Sequence, residues 1–205
     1  MSNTPRRALL VIDVQNVYLS GDFLIEHPPV TQSLPNIGRA MDAARGNGIP
    51  IVVVQHNGFG QGSDGWQLHP VVASRTHDLR IDKPKASVFT NTILAIWLEN
   101  RHIDTLSIVG YMTHNCDAST IFEAHHRGLH AEILSDATGS LPYANRAGSA
   151  TAKEIHRVFS VVFESNFAAV LTTDEWLQAL ATGAAPRPDN PVASNQRARL
   201  ARALT

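Results

Sequence analysis

Short apolar runs punctuate the chain, and each one ends in polar residues. Ala8-Leu9-Leu10-Val11-Ile12 closes on Asp13, and Ile49-Pro50-Ile51-Val52-Val53-Val54 runs out into Gln55-His56-Asn57. Thr105-Leu106-Ser107-Ile108-Val109 meets Gly110, the run from His130 to Leu134 closes on Ser135-Asp136, and Ala168-Ala169-Val170-Leu171 is a last, short example. Unbroken apolar runs of this length predict strands buried on both faces. Between them the spacing becomes helical. Leu34, Ile37, Ala40, Met41 and Ala44 predict a helix over 33–47, stopped by Gly46-Asn47-Gly48, and Ile93, Leu94, Ile96, Trp97 and Leu98 predict one over 91–100. Further helices are expected to open at Cys116, to cover 147–159, and to start at Thr173-Asp174-Glu175 with a capping pattern. Strands alternating with helices predict an α/β fold, a single-domain three-layer α-β-α sandwich around an open, mostly parallel, Rossmann-like sheet.

The segments outside this alternation are candidates for other roles. Residues 58–82 are long and rich in Gly, Ser, Asp and His, as expected of a loop covering a ligand site, with Trp66, Leu68 and His69 available to line it. The domain is expected to span 1–182. Residues 183–205 open with Pro186, Pro188 and Pro191 and close with Arg197, Arg199 and Arg202, a loose tail or a small subunit-contact element.

Composition narrows the partners. The chain has 205 residues, 43% of them hydrophobic and 17% charged, with a formal net charge of -1, which suits one soluble domain and gives no reason to expect nucleic acid or an anionic membrane. A small-molecule ligand fits better. The start, Met1 to Arg7, reads as neither signal peptide nor membrane span, because Asp13 interrupts the apolar run that follows. A single cysteine excludes an internal disulfide and agrees with a reducing cytoplasm.

That cysteine, Cys116, stands where a buried strand, a glycine and a short polar turn lead into a helix. A helix start offers free N–H groups and partial positive charge, which would lower a thiol pKa and hold an oxyanion; the bland alternative is a small buried apolar side chain. Asp13, at a strand's carboxyl end, is a candidate acid or base, or else a turn-forming Asp. Lys83 and Lys85 would pass for surface charges on their own. His126 and His130 are four apart, with His125 adjacent, but Gly128 between them is a helix stop, so no shared metal-binding face is expected. His114, in the turn before Cys116, is a better candidate for a pocket wall.

The ordered set of Asp13, Lys83 with Ser87-Val88-Phe89, and the strand-turn-helix at Cys116 resembles the isochorismatase-like cysteine hydrolases, relatives of nicotinamidases and N-carbamoylsarcosine amidases. The resemblance spans roughly residues 7–180 and includes the Ser135-Asp136-Ala137 strand end. It implies a triad of Asp13, Lys83 and Cys116, with Lys83 preferred to Lys85 because the family lysine stands four residues before the serine. It implies a non-proline cis peptide at Tyr111–Met112 and an oxyanion held by the N–H groups of Met112 and Cys116. It also implies hydrolysis of a small amide, lactam or carbamoyl compound through a thioester on Cys116, with no cofactor. Gln15, Tyr18, Gln55, His56, Trp66, Phe89 and His114 are then the expected substrate contacts, and a homo-oligomer the expected assembly. Two departures qualify the match. Gln55-His56-Asn57 stands where nicotinamidases carry a metal-binding Asp-x-His, so no metal is expected, and Cys116 itself argues against vinyl-ether hydrolysis. A thiol-based sensor or binding protein that keeps the pocket without efficient turnover is the competing expectation.

Overall fold

The computed structural model describes residues 4–203 apart from Asp22, so the first residues of the Met1 to Arg7 reading lie outside the described part. Six strands form one parallel sheet in the order β3-β2-β1-β4-β5-β8: β1 is Arg7–Ile12, β2 Ile51–His56, β3 Leu79–Lys83, β4 Thr105–Tyr111, β5 His130–Gly139 and β8 Ala169–Leu171. All of β1 and β4 is buried, as their unbroken apolar sequences require. Alternate side chains serve opposite faces. Ala8, Leu10 and Ile12 pack with Val52, Val54, Leu106 and Ile108 beneath α3 (Leu94–Glu99) and α4 (Ala118–His126). Leu9 and Val11 pack with Ile51, Val53, Val109 and Leu134 beneath α1 (Val30–Gly46) and α6 (Thr173–Thr182). The result is the three-layer sandwich expected from the alternation of strand and helix.

The sheet grows outward from β1 in one direction through β2 and β3, then resumes on its other side with β4. That reversal opens a crevice beyond the carboxyl ends of β1 and β4, where ligands bind in open α/β sheets. Asp13 follows β1 and the Cys116 turn follows β4.

Several boundaries differ from the sequence-based expectation. Helix α3 begins only at Leu94, because Asn91 adopts φ 58° and Thr92 Oγ1 both donates to Val88 O and accepts from Leu94 N, closing a turn. No helix starts at Ala147. Tyr143–Asn145 (β6) and Gly148–Ala150 (β7) form an antiparallel hairpin, and α5 (Ala152–Val162) opens behind a Thr151/Glu154 capping box. Strand β5 continues past Asp136 to Gly139 after a register shift, in which Ile108 pairs with Ile133 but Gly110 with Thr138. This carries Thr138 and Ser140 to the crevice. The last stretch, expected to be a loose tail or a small subunit-contact element, contains a largely exposed helix, α7 (Pro191–Ala203), joined back to the body by Arg7 Nη2 donating to Ala184 O and Asp189 N donating to Glu164 O. Helix α4 ends at His126 and Gly128 takes φ 77°, so His126 and His130 share no helix.

Candidate active site

Asp13 sits in the left-handed region at φ 51°, its N–H donating to Val54 O, and its side chain is fully buried. The chain can take this path because residue 110 is glycine. At φ 118°, a Cβ on Gly110 would lie 2.0 Å from Ile12 O, so only glycine lets β4 pass this close to the end of β1.

Lys83 is the last residue of β3, and its side chain is also fully buried. Nζ lies 2.7 Å from Asp13 Oδ2 and donates to Cys116 Sγ at 3.2 Å and to Lys85 O at 3.1 Å. Lys85 lies on the surface. The two lysines do not share a face because β3 stops at Lys83 and Pro84 follows, so strand alternation no longer applies. Asp13 Oδ1 is buried without a geometric hydrogen-bond partner among the described residues.

Cys116 lies in a π-helical turn, Thr113–Asp117, that precedes α4, and only 4% of it is exposed. The expectation that a helix start lowers this thiol pKa is corrected. Burial first, and then the Asp13 carboxylate, push the thiol up, while Lys83 pulls it down. The resting sulfur is therefore protonated. Burial likewise raises Asp13 above the usual carboxylate range, against the opposing pull of Lys83. A base shifted upward and a thiol poised against a cation can exchange a proton as the sulfur attacks. The Tyr111–Met112 peptide is cis, and it leads directly into this turn.

The expected substrate contacts divide into two groups. Tyr18 is buried against Tyr111 and Phe59, and burial together with the charges of Asp13 and Cys116 raises its phenol, so it borders the triad. His56 packs on Phe59, and burial and Lys83 lower its pKa. His114 is held by Ser140 and Tyr143, with burial pulling it down to about 4. Trp66 is half-buried under Arg80, with its Nε1 buried and unpartnered among the described residues.

Gln15, Gln55 and Phe89 do otherwise. Gln15 donates to His56 O and Trp66 O and accepts from His56 N, while Gln55 donates to Trp66 O and accepts from Arg80. Both amides are thus committed to pinning the 58–82 loop onto the sheet. The Phe89 ring lies under Arg127 and lines a separate cavity of about 420 Å³ with Leu98, Glu99 and His102.

Two residues near the sulfur were not singled out from sequence. Asp117 is fully buried, accepts from Thr138 Oγ1 at 2.5 Å, and is pushed up to about 7 by burial; its Oδ1 has no partner among the described residues. Tyr143 reaches the site from the hairpin. Position beside Cys116 was an available signal for Asp117, but nothing local marks Tyr143.

A family model described as the Isochorismatase domain matches residues 7–175. A Burkholderia xenovorans LB400 crystal structure of the isochorismatase type superposes with a TM-score of 0.96 at 57% identity, covering 98% of this chain and 100% of that one. The ureidoacrylate amidohydrolase RutB of Methylorubrum extorquens strain AM1 is 30% identical over 82% of this chain and 83% of its own length. The isochorismatase family protein YddQ of Bacillus subtilis is 26% identical over 83% of this chain and 98% of its own. With the matching model spanning most of the sequence and the strand order opening a crevice at Asp13 and Cys116, the chain belongs to the isochorismatase family of hydrolases.

Proposed function

We propose that this hydrolase cleaves the C–N bond of a small amide, lactam or carbamoyl compound through a thioester on Cys116. The observation that carries the reading is the position of Lys83 Nζ, 2.7 Å from Asp13 Oδ2 and 3.2 Å from Cys116 Sγ in a fully buried cluster. Asp13 takes the thiol proton as Sγ attacks the carbonyl carbon, and the N–H groups of Met112 and Cys116 receive the developing oxyanion. The C–N bond then breaks as Asp13 returns the proton to the departing nitrogen. Water, deprotonated by Asp13, hydrolyses the thioester and restores the thiol. Lys83 keeps the carboxylate in place and offsets its charge throughout. The net reaction consumes amide and water and yields acid and amine, so it needs no electron carrier. The similarity to ureidoacrylate amidohydrolase supports this substrate class. A sensor role is disfavoured, since redox-sensing thiols are exposed and have low pKa values, whereas Cys116 is buried and raised.

The test is turnover with a panel of amides and lactams, read by release of ammonia or amine, together with acid-quench mass spectrometry. Wild-type protein should accumulate an acyl adduct on Cys116, while Cys116→Ala and Cys116→Ser should show neither adduct nor turnover yet retain the folded structure. Near-native turnover in either variant would remove covalent catalysis from the account.

A further inference from the structure

Tyr143 stands on the β6–β7 hairpin, outside the main sheet, yet its hydroxyl lies 3.1 Å from His114 Nε2 and its ring meets that imidazole edge-on at 5.2 Å. His114 is two residues before Cys116. Its other nitrogen, Nδ1, lies 3.1 Å from Ser140 Oγ. Through His114, which lies in the same Thr113–Asp117 turn as Cys116, the hairpin brings the phenol to the mouth of the site.

The hydrogen-bond directions in this chain follow from what Ser140 lacks. Ser140 is fully buried, and His114 is the only partner of its hydroxyl among the described residues. If the imidazole donated from Nδ1, the Ser140 O–H would be left buried and unpaired, which folded proteins avoid. Ser140 therefore donates to Nδ1, and the imidazole carries its proton on Nε2. That N–H donates to the Tyr143 oxygen. Burial keeps His114 neutral at physiological pH, so this arrangement holds where the enzyme works. The Tyr143 O–H, having no acceptor in the relay, remains free to donate.

The rest of the neighbourhood limits what it donates to. Lys83 is taken by Asp13, and Arg80 by Asp82 and Gln55, so no unengaged cation among these groups awaits a substrate carboxylate. Beside Tyr111, which leads into the Cys116 turn, the rings of Tyr18, Phe23 and Phe59 pack edge to face. Such surroundings suit a compact, planar, neutral molecule.

We infer that Tyr143 is a specificity-determining hydrogen-bond donor, oriented by Ser140 and His114, and that the preferred substrates are small imides, whose second carbonyl accepts from its hydroxyl. The inference rests on the amide-hydrolase reading above and narrows its substrate class. In an imide the nitrogen leaves as an amide rather than an amine. Sγ attacks one carbonyl and the C–N bond breaks toward nitrogen. Negative charge delocalises onto the second carbonyl oxygen, where the Tyr143 O–H stabilises it until Asp13 protonates the nitrogen. Water then releases the acid, so a cyclic imide plus water gives one amido acid.

Succinimide and 2-pyrrolidinone test this directly, as five-membered rings that differ by one carbonyl. Calorimetric titration into Cys116→Ala protein, which cannot form the thioester, should show succinimide binding about fivefold to tenfold more tightly, a typical effect of one hydrogen bond. Adding Tyr143→Phe, which keeps the ring and loses only the hydroxyl, should erase that difference while leaving 2-pyrrolidinone binding unchanged. Equal binding of the two ligands, a preference that survives Tyr143→Phe, or no detectable succinimide binding would each overturn the inference. Turnover separates it from the reading beneath it. A Tyr143-dependent preference without Cys116-dependent hydrolysis would remove the amidase reading and leave the binding role of Tyr143 standing.

Discussion

At the scale of single residues, the triad's charges make opposing demands on the sulfur, and this yields a test that separates their roles. Asp13 raises the Cys116 thiol and Lys83 lowers it. In Asp13→Asn the raising influence disappears while the lysine stays, so the thiol pKa falls and alkylation by iodoacetamide at pH 7.5 should hold or accelerate. Amide turnover should nevertheless fall by roughly 10²–10⁴, the usual worth of a positioned acid–base. Lys83→Met removes the lowering influence and leaves a carboxyl buried without its cation, so turnover and alkylation should fall together. Lys85→Ala, a surface change, should alter both by less than about twofold. Parallel slowing of turnover and alkylation in Asp13→Asn would mean that Asp13 only supports the structure. Asp13 and Cys116 were legible because each stands just beyond a strand's carboxyl end, whereas Lys83 came only with the family resemblance, since 58–82 reads as a loop and the strand Leu79–Lys83 at its end was not expected. The glutamines were misjudged for the same reason: Gln15 and Gln55 also stand at such ends, and sequence carries no sign that one loop carbonyl, Trp66 O, 51 positions from Gln15 and 11 from Gln55, already occupies both amides.

Among the elements, the π-helical turn that bears Cys116 is the one sequence described least well. A glycine followed by polar residues predicts a turn and then a helix, but not the extra residue that widens the turn and directs Asp117 inward. There Thr113 and Thr138 hydroxyls lie 2.9 Å apart and Thr138 donates to Asp117, tying the turn to the end of β5. The hairpin carrying Tyr143 was lost for a different reason. Apolar spacing over 147–159 was taken back too far, although Thr151-x-x-Glu154 marks where the helix starts. Asp117 supplies this scale's prediction. Its folded pKa, about 7, is above the ordinary 3.8, so the native state binds its proton more tightly than the unfolded chain does. The associated stability is complete below the unfolded value and is lost as pH rises through about 7. Between pH 5 and pH 8 wild type should therefore lose on the order of 2 kcal/mol relative to Asp117→Asn, which has no such proton to lose. Urea unfolding of both proteins at the two pH values measures it. Parallel pH dependences would place Asp117 at an ordinary carboxylate pKa.

For the whole molecule, the parallel sheet separates chemistry from anchorage. The carboxyl edge holds Asp13 and Cys116, while near the opposite edge a buried polar network joins four elements. Arg7 on β1 forms a bidentate pair with Glu132 on β5, Ser107 on β4 donates to the same carboxylate, and Trp176 Nε1 on α6 donates to both Ser107 Oγ and Glu132 Oε2. Arg7 also reaches Ala184 O at the start of the C-terminal stretch. The parallel sheet was foreshadowed by the alternation of apolar runs and helices, but this network was not, since Arg7 and Glu132 are 125 positions apart and each resembles a surface charge when read locally. Glu132→Gln leaves the Arg7 charge buried without its counterion and should lower unfolding stability by about 3–5 kcal/mol. Arg7→Met combined with Glu132→Leu removes both charges and should recover much of that loss, because an apolar pair of similar volume avoids the desolvation penalty. The strands place this network roughly 15–20 Å from the triad, at about 3.3 Å per residue, so kcat/KM of the folded fraction, measured well below the melting temperature, should stay within about twofold in both variants. A double variant no more stable than Glu132→Gln would assign the loss to the network's shape rather than to an unpaired charge, and a large fall in kcat/KM with folding intact would show that the two edges of the sheet are coupled.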